Sequence, residues 1–261
     1  MTGEKAYDGK VCRVQDLLDQ IAQSGLADSA HAHVRLWFRG HSKRGWRLQP
    51  AVYRKAFPAK DEAERLRIEQ HMTQDFRVQA AGLLTGRETD ADLYFLQQHY
   101  RMPTRLLDWT HSPLPALYFA VTSDSGSDGE LFMMGAYQLS PSQNAKDFEG
   151  IATARHPTFE KALHVIFRWQ TPGDFPKCII PVRPDHFDHR MSLQRSCFTL
   201  HIPKRHALTR AENSALRSFL IPADAKKYIE KELLLLGIDD FSVYGDMESL
   251  SRRLKVAYRV P

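Results

Sequence analysis

The stretch PTRLLDWTHSPLPALYFAVTS, residues 103–123, changes its hydrophobic period twice. Residues 104–109 read as a short extended segment, residues 110–113 as a tight loop of capping and first-turn residues, and residues 116–122 as a helix apolar on most sides. A strand, a tight loop and a core helix in direct succession point to an α+β chain.

Working outward, the spacing predicts helices over 14–24, stopped by Gly25, over 61–84, opened by Pro58, and over 90–99. Between the first two lies a short strand, 33–39, that ends at Gly40. Downstream, SDSGSDGE (123–130) is a turn and 131–139 a strand. Residues 140–176 read as loop with one helix near 158–168. Strands follow at 177–182, 197–202 and 217–221, then a helix over 224–236 behind Pro222 and before Gly237, and a last helix over 247–258. No repeat, low-complexity tract or linker divides the chain, so one α+β domain over residues 1–261 is the expectation, with a core of about 16–258.

A chain of 261 residues with 43% hydrophobic and 26% charged residues has enough apolar material for a sizeable core. Lys and Arg exceed Asp and Glu by 36 to 31, a formal +5, which mildly favours a phosphate-bearing ligand or nucleic acid. The three cysteines form no C-x-x-C pair, so neither a zinc knuckle nor a disulfide framework is suggested. The amino-terminal residues lack the apolar run of a secretory signal, and no stretch is apolar for long enough to cross a bilayer. A cytoplasmic protein with no membrane partner is expected.

Chemistry concentrates in two stretches. In LWFRGHSKRGWRLQPAVYR (36–54), Arg39 ends an apolar strand where an unpaired guanidinium would cost several kcal/mol. Its partner is either a carboxylate of the chain, with Asp108 the candidate, or an anionic ligand. On the ligand reading Gly40 lets the ligand approach the backbone, His41, Ser42, Lys43 and Arg44 add donors, and Trp46 or Tyr53 stacks on a planar ring. In the second stretch, Arg105, Asp108, Thr110, His111 and Ser112 are polar residues in an apolar frame. Thr110 and Ser112 read as N-caps of the following helix, and a helix start is also a natural anion site.

Four segments then become recognisable: FRG (38–40), LQPAVYR (48–54), LQQHYRMPTRLLDWTHSPLPALYFA (96–120) and RMSLQRSCFTL (190–200). Together they resemble the FRG domain, a bacterial and phage-associated family, and the resemblance runs in order from about residue 16 to the carboxyl end. The pattern also resembles an ADP-ribosyltransferase core, which implies a split β-sheet with surrounding helices and NAD as substrate, without a metal. On that resemblance Arg39 grips an NAD phosphate, Thr110 or Ser112 shapes the nicotinamide pocket, and Gln194 takes the position normally held by a catalytic glutamate. Gln194 carries no charge, so Asp108 would supply it; Asp246 and Glu248 are further candidates without motif support. Arg39, Asp108, Thr110 and Gln194 are the expected catalytic set, and Arg39, Gly40, His41, Tyr53, Arg105, Ser112 and Phe198 the expected NAD contacts. Where the family carries Q-x-G-x-F, this chain has Gln194, Ser196 and Phe198.

The implied activity is ADP-ribosyl transfer to a macromolecular acceptor, protein or nucleic acid, or NAD hydrolysis, in a toxin or anti-phage effector with an antitoxin or defence-system partner. The alternative is a non-catalytic nucleic-acid or nucleotide-binding or protein-interaction module of a defence system. DHFDH (185–189) invites a metal reading, but its spacing fits no closed ligand set and a loop between strands explains it. Cys197 is either a nucleophile or a buried strand residue. The segments 43–55 and 252–259 are basic with interleaved aromatics, as a nucleic-acid surface or a solvated face would be.

Overall fold

The computed structural model describes residues 7–26, 36–139, 150–169, 179–185, 189–203, 205–211 and 213–260. In chain order the elements are β1 (Gly9–Lys10), α1 (Val14–Gln23), β2 (Leu36–His41), α2 (Glu62–Gln79), α3 (Asp90–His99), β3 (Leu106–Thr110), α4 (Pro113–Thr122) and β4 (Gly129–Gly135). Then come β5 (Ala152–Thr153), α5 (Pro157–Phe167), β6 (Ile180–Arg183), α6 (His189–Leu193), β7 (Ser196–Leu200), β8 (Arg217–Ile221), α7 (Ala223–Leu235), α8 (Asp240–Tyr244) and α9 (Met247–Tyr258). The expected α+β class holds, with every long helix where its periodicity put it. The sequence reading overlooked β1, β5, α6 and α8, which are too short to show a period.

Local chemistry explains the helix boundaries. Asp61, not Pro58, starts α2, because its carboxylate accepts from the Glu64 N–H at 2.8 Å. Thr89 and Asp92 form a reciprocal capping box on α3, as Asp246 and Ser249 do on α9. Gly237 and Gly245 adopt positive φ and close α7 and α8. The helix after the tight loop starts earlier than its apolar run, at Pro113, whose missing N–H is no loss in a first turn.

All eight strands join one open mixed sheet in the order β1-β8-β4-β2-β3-β7-β6-β5. Its two outer pairs, β1 with β8 and β5 with β6, are parallel, and the rest are antiparallel. A full ladder joins β2 to β4, from Leu36↔Gly135 to His41↔Glu130, and another joins β3 to β7, from Leu106↔Leu200 to Thr110↔Ser196. Between β2 and β3 the register holds at Phe38↔Thr110 alone. The middle of the sheet is its weakest seam.

Strand alternation sorts the apolar residues onto two faces. On one face, Leu106, Phe198 and Leu200 pack under α2, α3 and α5, while Phe38, Leu131 and Phe219 pack under α1, α4 and α7. The two clusters flank the seam. On the other face Trp37, Trp109, Phe132 and Cys197 form a third cluster covered by Leu48, Leu139 and Leu208. Among the described residues no helix is long and apolar enough to cross a membrane.

Candidate functional site

Where β2 and β3 part, a cleft of about 790 Å³ opens. It takes residues from β2, from the loop behind it, from the end of α3, from β3 and from the turn before β7. Arg39, Gly40, His41, Asp108, Thr110, Gln194 and Phe198, dispersed over the sequence, all line it. This size suits a small-molecule ligand.

Arg39 bridges the seam. Its Nη1 donates to the backbone carbonyl of Asp108 at 2.5 Å and lies 3.6 Å from that residue's Oδ2, while its Nε donates to His41 Nε2 at 3.0 Å. A side chain thus replaces the next rung of the β2–β3 ladder. The Arg39 side chain is 16% exposed and that of Asp108 55%. Burial lowers the Arg39 pKa, Asp108 only partly offsets this, and the nearby Arg54 pushes in the same direction. Its charge is therefore under-compensated by the protein. Asp108 is oriented in turn by Gln98, whose Nε2 donates to Oδ1 at 3.0 Å and Oδ2 at 2.9 Å; Thr104 donates to the Gln98 carbonyl and fixes that amide. Asp108 is thus a partner of Arg39, but an incomplete one.

Thr110 Oγ1 donates to the Gln194 carbonyl at 2.6 Å and accepts from the Ser112 N–H at 2.9 Å. The hydroxyl ties the turn before β7 to the end of β3. The His111 N–H bonds the Arg195 carbonyl at 3.2 Å, and Arg195 holds a left-handed φ of 47°. Gln194 is carried into the cleft by this double tether, with its Nε2 lacking a hydrogen-bond partner among the described residues.

Three expected contacts are placed elsewhere. Ser112 does not line the cleft and, as the N-cap residue of α4, makes no side-chain capping bond; its own N–H is the one that Thr110 Oγ1 accepts. Arg105 is fully buried beneath the cleft wall: its Nε meets Glu69 Oε2 at 2.7 Å, and its Nη1 meets Glu62 Oε1 at 2.8 Å and the Tyr53 hydroxyl. Burial opposes its charge, but Glu69, Tyr53 and Glu62 outweigh burial and hold its pKa above the ordinary arginine value. Tyr53 is committed to the same network and stacks on His206 at 4.2 Å between ring centroids. Gly40 lines the cleft, but a Cβ there would fall 1.9 Å from the Ala116 carbonyl oxygen. The glycine is required for α4 to lie against β2, whether or not a ligand reaches its backbone.

Of the secondary candidates, Asp246 caps α9 and Glu248 pairs with Arg252 at 2.6 Å, away from the cleft. Cys197 is buried in β7, and burial pushes its thiol pKa well up, as for an inert core cysteine. Among the described residues no group of three or more His, Cys, Asp or Glu could hold a metal, and part of 185–189 lies outside them. His31 and His33 lie outside them too.

Sequence reasoning missed Gln98, Glu69 and Tyr94. The Tyr94 hydroxyl donates to Glu69 Oε1 and accepts from the Arg105 N–H, both at 2.8 Å. A signal was present in α2, where Leu66, Glu69, Gln70 and Thr73 are the buried positions. Polar residues standing in the buried phase of a helix announce a partner across it.

The family model for the FRG domain matches residues 34–129, a span that holds Arg39, Asp108 and Thr110 and stops short of Gln194. No curated protein and no solved structure matches the chain.

Proposed function

We propose that the cleft binds NAD and that the chain breaks its nicotinamide–ribose bond, as an ADP-ribosyltransferase or NAD glycohydrolase acting as a toxin or anti-phage effector. The observation that carries this reading is the under-compensated Arg39 guanidinium, held at the open end of the seam where an anion completes its coordination. The partly buried Phe119 lines the same cleft and adds apolar surface, as do the edges of the core residues Phe95 and Phe198, which stack on each other.

On this reading the C1′–N bond breaks with its electron pair leaving on nicotinamide, and positive charge builds on the ribose. Asp108 is the only carboxylate among the described residues lining the cleft, and Gln98 holds it for that charge. A water or acceptor nucleophile then bonds to C1′ and gives its proton to solvent. Gln194 orients a ribose hydroxyl through its amide.

The test is nicotinamide release from NAD by the purified chain, alone and with protein or nucleic-acid acceptors, compared with Arg39→Ala and Asp108→Asn. Release that falls at least about a hundredfold in both variants, with circular dichroism unchanged, is the expected result. No release, and no NAD binding by calorimetry, overturns the reading. The second reading, a non-catalytic nucleotide or nucleic-acid module of a defence system, is favoured by the engagement of Asp108 with both Gln98 and Arg39. NAD or oligonucleotide binding without turnover would select it.

A further inference from the structure

The basic loop after β2 divides its charges by direction. Lys43 pairs with Asp124 at 2.9 Å and Arg44 with Asp128 at 3.5 Å, and the Gly45 N–H donates to Glu130 at 3.2 Å. The buried Lys226 of α7 donates from Nζ to the Ser42 carbonyl at 2.7 Å and to the Asp124 carbonyl, pinning the loop's start. Past this anchored segment the chain turns along the cleft, and there the pattern changes. Arg47, Arg54 and Arg101 line the cleft, are exposed, and have no carboxylate within ion-pair distance among the described residues. Arg54 bonds the Gln49 carbonyl, which leaves its charge uncancelled.

Arg101 is the left-handed residue that closes α3, with its N–H on the Gln98 carbonyl and the Met102 N–H on the Gln97 carbonyl, so its place beside the cleft is set by the helix end. Trp46 stands 52% exposed at the cleft, edge-on to His41 at 5.8 Å between ring centroids, so that much of its indole faces solvent. Three uncompensated arginines and an exposed aromatic lining one open cleft match the needs of a single strand: phosphates to neutralise and bases to stack.

We propose that this rim holds a single-stranded nucleic acid. Resting on the NAD reading above, the strand is the acceptor: a nucleophilic atom of the strand bonds to C1′ as nicotinamide leaves, and its proton passes to solvent.

The experiment is binding of a fluorescent single-stranded oligonucleotide by anisotropy across a salt series, without NAD, followed by mass analysis of the oligonucleotide after incubation with NAD. Arg47→Ala and Arg101→Ala should each weaken binding and lower the slope of log K against log salt by about 0.7, and Trp46→Ala should weaken it about tenfold. Lys43→Ala and Arg44→Ala, whose charges are internally paired, should change neither. No binding, or equal losses from the paired and unpaired sets, overturns the proposal. Nicotinamide release with no mass gain on a bound oligonucleotide overturns its acceptor role and keeps the NAD reading. Rim-dependent binding with no nicotinamide release supports the strand site and sinks the NAD reading.

Discussion

Arg105 and Arg39 both withdraw a guanidinium from bulk water, and the protein treats them in opposite ways. Around Arg105, Glu69, Glu62 and Tyr53 more than offset the cost of burial, and the Tyr94 hydroxyl bonds both Glu69 and the Arg105 backbone. Around Arg39 there is one half-exposed carboxylate, a neutral imidazole acceptor and a neighbouring Arg54 of like charge. The first arginine is the centre of a charge-compensated internal network that ties α2, α3 and the 48–57 loop to β3. The second is incomplete by construction, which is what a ligand-gripping group requires and a structural one avoids.

The sharpest way to break this contrast is Arg105→Ala. It strands the fully buried Glu69 carboxylate without its cation and should cost about 3–5 kcal/mol in denaturant unfolding, whereas an Arg105→Met and Glu69→Leu pair should recover part of that loss. A small loss in the single variant would mean that the network is not load-sharing. Next in size is Gly40→Ala, beside Arg39 in the same tripeptide, at about 3 kcal/mol, because the new methyl meets the Ala116 carbonyl of α4. Unchanged stability would return Gly40 to the ligand.

Acid provides a third test on the Arg105 side. His201, whose N–H bonds the Arg105 carbonyl at 2.9 Å, has its pKa lowered by burial to about 3. Its folded pKa is below the unfolded value near 6.5, so between them the unfolded chain holds a proton that the fold excludes. Stability should therefore fall on acidification from about pH 6.5, by up to about 1.4 kcal/mol per pH unit from this residue, and His201→Gln should flatten the slope. Parallel curves for the two proteins would show that His201 is protonated in the fold. The smallest expected effect is Arg39→Ala, below about 1 kcal/mol, since Asp108 keeps both Gln98 bonds and contact with water. A loss comparable to that of Arg105→Ala would erase the distinction between the two sites.

The sequence made the elements legible wherever local chemistry decided them. The strand, loop and helix around 103–123 and the capping box at Thr89 are written in adjacent residues. Arg39, Asp108, Thr110 and Gln194 could be gathered because motif residues mark them. What could not be read was direction. Arg105 and Asp108 are three residues apart, yet one points into the interior toward α2 and the other into the cleft. That choice is made by Glu69, Tyr94 and Gln98, long-range partners that no local period reveals. Gly40 is legible only in part for the same reason: its missing side chain suits a ligand or a helix equally well, and only the placement of α4 shows that the helix needs it.

A sheet joined at its centre by one backbone rung and one side-chain staple behaves mechanically as two plates with a soft joint. Amides along that joint should exchange with solvent before those in the flanking ladders, since fewer backbone bonds protect them. An anion that draws the Arg39 guanidinium off the Asp108 carbonyl removes the staple and leaves the rung. On the proposed ligand reading, occupancy of the cleft and the hold of β2 on β3 would be coupled through a single guanidinium.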